Sequence, residues 1–271
     1  MYKVLVLGGS GFIGKAIIKE MGKYKEFQIY TTYFKSPMPL SQDRSFKLNI
    51  EKSANINEIL NTLNPQIIIS CLRGDFNKQL LLHTKTAEYL KEIGGRLYFL
   101  STANVFDSDL SRPHYEDDLP NSCTHYGKYK IECEKRMVQI LNDNAFILRL
   151  PQVWGKDSPR MKHILKLLKN NEKVVVYPKL FFNTISDTVV AEKILYIIKH
   201  NLKGIFHLTT EDVISHKDFY IKLITGLGFN NAIIEENFEE EGCFALLSKR
   251  NNEFSEQLGL ENKSVINYLI K

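Results

Sequence analysis

Tyr126 and Lys130 stand four residues apart in a segment, His125–Leu141, whose pattern predicts a helix, so they share one helix face. A free tyrosine titrates near about 10, too high for easy proton exchange at neutral pH. A neighbouring ammonium favours the phenolate and lowers that value, which makes the tyrosine an acid–base group. Upstream, Leu100-Ser101-Thr102 places a hydroxyl pair at the end of an apolar run. Thr102 then sits at the carboxyl end of a strand, able to hydrogen-bond a reacting oxygen. Near the N-terminus stands Gly8-Gly9-Ser10-Gly11-Phe12-Ile13-Gly14. In a chain with 13 tyrosines a lone Tyr-x-x-x-Lys also fits an ordinary solvated helix face. The three features together, in this order, predict an enzyme that moves a hydride and a proton.

These residues need a frame. Tyr2–Leu7 reads as a buried parallel strand, and Phe12, Ile13, Ala16, Ile17, Ile18 and Met21 recur at helical spacing. The glycines therefore lie in a strand-to-helix turn, where backbone N–H groups receive a pyrophosphate. Gly8 permits the turn, Gly11 the approach of the phosphates, and Gly14 close packing of helix on strand. Gly8, Ser10, Gly11, Phe12, Ile13 and Gly14 are the expected cofactor contacts, joined by Cys71 and Leu72 at the end of a later strand and by Lys130. The segment Ile29–Ser36 after the second strand carries no acid to bind ribose hydroxyls, but offers Lys35 for a 2′-phosphate. NADP(H) is therefore favoured over NAD(H).

Further strands are predicted at Phe27–Thr32, Gln66–Cys71, Arg96–Leu100 and Ala145–Leu150, with helices at Ile56–Leu63, Lys78–Ile93 and His125–Leu141 between them. The alternation predicts an α/β fold, a Rossmann-type doubly wound parallel sheet with right-handed crossovers. Beyond Gly155 the regularity loosens: helices at Met161–Leu168, Asp187–Lys199, Ser215–Gly226 and Glu253–Leu258, strands at Lys173–Tyr177 and Gly204–Leu208. Residues 1–155 are expected to form the dinucleotide-binding domain, with 187–208 packing back on it. Residues 156–186 and 209–271 are expected to form a smaller α/β substrate lobe.

Composition narrows the class. Hydrophobic residues make up 44% of the 271, enough for a sizeable core. The net charge of +5 is spread without a basic stripe, which argues against nucleic-acid binding. The four cysteines form no CxxC pair, so no metal site is expected. Neither a signal peptide nor a run long enough to span a membrane is evident, and a cytoplasmic setting is the expectation.

The chain resembles the extended short-chain dehydrogenase/reductase family. The glycine loop with its Gly-Phe-Ile-Gly ending looks like that family's cofactor loop, and Tyr126 and Lys130 match its Tyr-x-x-x-Lys pair. Within the family, Ser101-Thr102-Ala103-Asn104-Val105-Phe106-Asp107 resembles the S-T-x-x-V-F-D stretch of dTDP-4-dehydrorhamnose reductases. Glu116 ahead of Tyr126-Gly127-Lys128, Leu148–Gly155, and Asn183-Thr184-Ile185-Ser186-Asp187 resemble further stretches of theirs. The resemblance implies reduction of a nucleotide-linked 4-keto-6-deoxy sugar for polysaccharide biosynthesis. Tyr126 would donate the proton, Lys130 hold the nicotinamide ribose and lower the Tyr126 pKa, and Thr102 orient the carbonyl. Thr102, Ala103, Tyr126, Arg149 and Trp154, with Lys162, would meet the nucleotide sugar, while Trp154, the only tryptophan, fits core packing as well. Members are often dimers, which makes a homodimer possible here.

The departures are specific. Where the family has Asn-Ala-Ala this chain has Ser70-Cys71-Leu72-Arg73, and Gln79 is the candidate replacement for the family's helix asparagine. A D-Q-x-G-x-P-T run is replaced by Pro178–Thr184. Ala103-Asn104 stand where related dehydratases carry Asp-Glu, which argues against water elimination. The alternatives are a sugar-nucleotide epimerase with retained NAD and a non-catalytic regulatory subunit.

Overall fold

The computed structural model describes residues 1–35, 40–51 and 54–271, without the side chain of Ala54; Ser36 lies outside the described residues. In chain order the first 150 residues run β1 (Tyr2–Leu7), α1 (Phe12–Met21), β2 (Phe27–Tyr33), β3 (Ser45–Lys47), α2 (Ala54–Leu63), β4 (Ile67–Ser70), α3 (Phe76–Ile93), β5 (Arg96–Thr102), α4 (His125–Leu141) and β6 (Ala145–Leu150). There follow β7 (Gln152–Trp154), α5 (Pro159–Lys169), β8 (Val174–Val176), β9 (Leu180–Phe182), β10 (Thr184–Ser186), α6 (Asp187–His200) and β11 (Ile205–His207). The chain ends with β12 (Ile214–Ser215), α7 (His216–Gly226), β13 (Ile234–Glu236), β14 (Gly242–Phe244) and α8 (Asn262–Ile270).

Seven strands form one sheet in the order β11-β6-β5-β4-β1-β2-β3, every pair parallel. This is the Rossmann-type α/β fold. Strand order reverses between β1 and β4, which opens a crevice at their carboxyl ends. The strand alternation explains the two-sided core. Val4, Val6, Ile67 and Ile69 point to the face covered by α1 and α6. Leu5, Leu7 and Ile68 point to the other face, among side chains of α2, α3 and α4. A third apolar cluster joins Trp154, Met161, Ile164, Val174, Phe219 and Val265 among the C-terminal elements.

Local signals fix the element ends. The Asp75 side chain caps α3, and Gly94, at φ +65°, closes it in the left-handed conformation. The Thr124 hydroxyl accepts from the Gly127 N–H and so starts α4 one residue before His125 reaches helical geometry. The structure differs from the sequence reading in one helix, in α8 and in the short strands β3, β7, β9, β10, β12, β13 and β14, which the pattern does not predict. Glu253–Leu258 is not an α-helix but falls across two short 3-10 turns, at Asn251–Glu253 and Glu256–Leu258; and α8, unread, packs against α7. Among the described residues no helix is long and apolar enough to cross a membrane, and no group of His, Cys, Asp or Glu could hold a metal ion.

Candidate active site

A cleft of about 850 Å³ lies over the carboxyl ends of the sheet strands and takes Ser158, Pro159 and Arg160 of the α5 start into its wall. At its sheet end the glycine loop leaves β1 with Gly8 at φ +77°, and the Gly8 N–H donates to the Thr32 hydroxyl at 2.9 Å. A side chain at Gly14 would place its Cβ 2.6 Å from Gly9 Cα, so glycine is required where α1 presses on the loop. The α1 N-cap is Gly11, with no side-chain cap and no acid in the first turn. The leading N–H groups of α1 are thus left for an anion, and this donor set fits a pyrophosphate.

Gly8, Ser10, Gly11, Phe12, Ile13 and Gly14 all line the cleft, as do Cys71, Leu72 and Lys130. Burial pushes the Cys71 thiol up to about 12, so it borders the site as an uncharged group. Lys35 is not among the lining residues: it is exposed, with its ammonium 5.8 Å from the Phe34 ring centroid, and the wall there is Thr32, Tyr33 and Phe34.

Thr102, Ala103 and Tyr126 share the cleft with Lys130. Asp107 fixes the approach to α4: its carboxylate accepts from the Cys123 N–H at 2.8 Å and the Thr124 hydroxyl at 2.5 Å. Tyr126 in the first turn of α4 is 38% exposed, open to a ligand. The Thr102 hydroxyl donates to Asn104 Oδ1 at 2.9 Å and accepts from the Asn104 N–H at 3.3 Å. A carbonyl oxygen in the cleft would compete for the proton that Thr102 now gives Asn104.

The electrostatics correct one expectation. Burial raises the Tyr126 pKa above its ordinary value, and the groups acting against that rise are the Thr102 hydroxyl and the Arg73 charge. Lys130 is not among them. Its Nζ donates to the Leu100 carbonyl at 2.8 Å, lies 4.4 Å from the Phe99 ring centroid, and is itself pushed down to about 8, chiefly by burial.

Arg149 and Trp154, expected to meet substrate, do not border the cleft. Arg149 is buried and paired with Glu134 through Nη2–Oε2 at 2.8 Å, with its Nε donating to the same carboxylate at 3.2 Å. A buried guanidinium needs such a partner, and α4 supplies it. Trp154 is fully buried in the C-terminal cluster, 5.0 Å from the Phe219 ring and 5.8 Å from Tyr220, because its apolar area outweighs an indole N–H left without a partner. Lys162 pairs at 3.9 Å with Asp157 on the surface. Gln79 is buried, and its Nε2 donates to the Gly74 carbonyl at 2.7 Å instead of reaching the cleft.

Sequence reasoning missed Asn104, Arg160 and Arg73 as cleft residues. A signal existed for each: Asn104 follows Thr102 by two, Arg160 follows a Ser-Pro helix start, and Arg73 ends the departure from Asn-Ala-Ala.

Comparison with known proteins places this geometry. The chain is 28% identical over 165 residues to methionine adenosyltransferase 2 subunit beta of Xenopus tropicalis, an alignment covering 56% of this chain and 47% of that protein. It thus spans about half the length of the curated relatives of that name. It is 26% identical over 260 residues to the dTDP-4-dehydrorhamnose reductase of Aggregatibacter actinomycetemcomitans, covering 88% of this chain and 82% of the other. Its fold superposes with a TM-score of 0.80 on dTDP-4-dehydrorhamnose reductase of Bacillus anthracis in complex with NADP, at 19% identity, covering 99% of this chain and 98% of that one. Other chains of this fold have been solved with NAD. Residues 79–239, more than half of the chain, match the model of the RmlD substrate binding domain. The chain belongs to the family that this model defines, among the extended short-chain dehydrogenases/reductases.

Proposed function

We propose that this chain is an NADPH-dependent reductase of a nucleotide-linked 4-keto-6-deoxy sugar. The observation that carries the reading is the meeting of Thr102, Tyr126 and Lys130 with the glycine loop in one cleft. Residues 1–155, with 187–208, hold the cofactor, and the lobe of 156–186 and 209–271 receives the nucleotide sugar. Bound NADPH supplies the hydride. Tyr126 gives its proton to the carbonyl oxygen, and its raised pKa keeps that proton in place until the oxygen becomes basic. Thr102 orients the carbonyl, released from Asn104 by the exchange of one hydrogen bond for another. Lys130 holds the nicotinamide ribose from its seat on the Leu100 carbonyl. The absence of an acid at the end of β2 and the NADP complex of the Bacillus anthracis protein support NADPH over NADH.

The test is oxidation of NADPH and of NADH by the purified protein across a panel of nucleotide-linked 4-keto-6-deoxy sugars. Consumption of NADPH with one of them, reduced about 100-fold or more by Tyr126→Phe, is the expected result. Conversion of a sugar without net consumption of cofactor would mean an epimerase. A second reading, a non-catalytic regulatory subunit, is favoured by the likeness to methionine adenosyltransferase 2 subunit beta. It requires cofactor binding without turnover, and a function that Tyr126→Phe leaves intact.

A further inference from the structure

Arg73 has no assigned role in the reduction described above, yet it lines the same cleft as Thr102, Tyr126 and Lys130. It ends the segment Ser70-Cys71-Leu72-Arg73 that leaves the carboxyl end of β4. Its turn is built rather than slack. Gly74 follows at φ +137°, where a Cβ would lie 2.4 Å from the Ile50 side chain, and the buried Gln79 amide holds the Gly74 carbonyl. Asp75, the adjacent carboxylate, is engaged by the α3 cap, accepting from the Lys78 N–H at 2.9 Å. Among the described residues Arg73 has neither a hydrogen bond nor an ion pair, and its charge is felt by Tyr126, Lys130 and Cys71. A guanidinium held on a fixed turn at the reaction end of a cleft, with its donors uncommitted, is suited to bidentate capture of an oxyanion.

We propose that Arg73 is a substrate-specificity residue that binds an oxyanion of the nucleotide sugar in this cleft. The inference rests on the reading that a nucleotide sugar occupies this cleft. Two sources share this chemistry, the diphosphate joining sugar to nucleoside and a carboxylate on the sugar. A 6-deoxy sugar has no carboxylate at its sixth carbon, so the second source would replace the 6-deoxy reading with a uronic-acid sugar while the nucleotide-sugar reading stands.

Calorimetric titration of the full chain with UDP-glucose, UDP-glucuronic acid and dTDP-glucose, in the presence of NADP⁺, separates them. Arg73→Gln is expected to weaken binding by about 10- to 100-fold, with part of the loss recovered in Arg73→Lys. A loss confined to UDP-glucuronic acid assigns the ring carboxylate, and an equal loss with every ligand assigns the diphosphate. Unchanged affinities in Arg73→Gln, or no binding of any of the three by the unaltered protein, overturn the proposal. Arg73 is exposed, so an unshifted thermal midpoint in Arg73→Gln shows that the fold is retained. The two readings fail separately. Arg73-dependent binding without NADPH oxidation on any sugar sinks the reductase alone. NADPH oxidation with unchanged kcat/KM in Arg73→Gln sinks this proposal alone.

Discussion

Lys130 shows how a single side chain answers to two demands. Its amine lies 4.4 Å from the Phe99 ring centroid and 5.7 Å from that of Tyr129 and ends on the Leu100 carbonyl, so burial favours the neutral form and pulls the pKa to about 8. In the unfolded chain the same amine titrates near about 10.4. Between these values the unfolded state binds more protons, and stability therefore rises with pH from about 8 to about 10.4 on account of this group. Lys130→Met is expected to lose NADPH oxidation by about 100-fold or more while still folding, since a methionine fills the same apolar channel. Urea midpoints measured at pH 8 and pH 10 would show a smaller rise in the variant; an equal rise would mean that the amine is charged throughout. At this scale the site was legible where its chemistry is local. The Tyr126–Lys130 spacing and the glycine spacing are set within a few residues of chain. Arg149 and Trp154 were misread for a physical reason. Strand β6 is buried on both faces along its whole length, so no alternation tells which side chain reaches the cleft. Trp154, at the end of the short strand β7, is placed by packing against α7, which lies more than sixty residues later.

The elements that carry the site are tied together below it. Ser101 and Arg149 are register partners on β5 and β6, and both reach the Glu134 carboxylate of α4, Ser101 at 2.5 Å. Arg149 also donates to the Glu116 carbonyl at 3.4 Å, and the Glu116 side chain accepts from the His207 N–H of β11 at 3.1 Å and the Lys249 N–H at 3.0 Å. The buried Glu134 carboxylate therefore ties the helix of Tyr126 and Lys130 to β5, the strand of Thr102, through Ser101, and to β6 through Arg149. Arg149→Met leaves Glu134 buried without its partner and is expected to cost about 3–5 kcal/mol in urea unfolding. Arg149→Met with Glu134→Leu should recover most of that loss, because desolvation of the orphaned carboxylate, not lost attraction, dominates the cost. If the double variant is as unstable as the single one, the pair's worth lies in packing. Most elements were readable because their periodicity is strong: α4 and β6 fall where the pattern put them. Edge strand β3 was not, since Ser45-Phe46-Lys47 is too short for any period to register. Helix α8 was open to reading, with Val265, Ile266 and Leu269 at helical spacing and buried.

Across the whole molecule, three buried histidines make the fold sensitive to acid from separate places. His83 of α3 meets the Ser70 hydroxyl at 2.7 Å and is pushed down to about 3, first by burial and then by the Lys130 charge. His207 of β11 donates from Nδ1 to the Leu247 carbonyl at 2.9 Å, and burial pulls it to about 4 against the opposing Glu116 charge. His216 at the start of α7 stacks on Tyr220 at 4.2 Å among the C-terminal elements and is pulled to about 4 by burial. Unfolded, each titrates near about 6.5. Between about 6.5 and about 4 the unfolded chain therefore binds more protons than the folded one, and stability is lost as pH falls through that window. Each histidine contributes up to about 1.4 kcal/mol per pH unit there. The carboxylates with lowered values, such as Asp118 beside Arg112, act with the same sign but only below pH of about 4, so the two groups separate by window. Urea midpoints at pH 7, 5.5 and 4.5 are expected to fall steeply in the unaltered chain. His83→Gln, which keeps a partner for Ser70, should fall less steeply by the contribution of one proton. His216→Gln should do the same from the other half of the molecule. An unchanged slope in both variants would mean that neither His83 nor His216 is held neutral by the fold in this window. A shallower slope in each, with one transition throughout, would mean that the parts of the chain carrying His83 and His216 unfold as a unit, so that protonation at either site destabilises the whole fold.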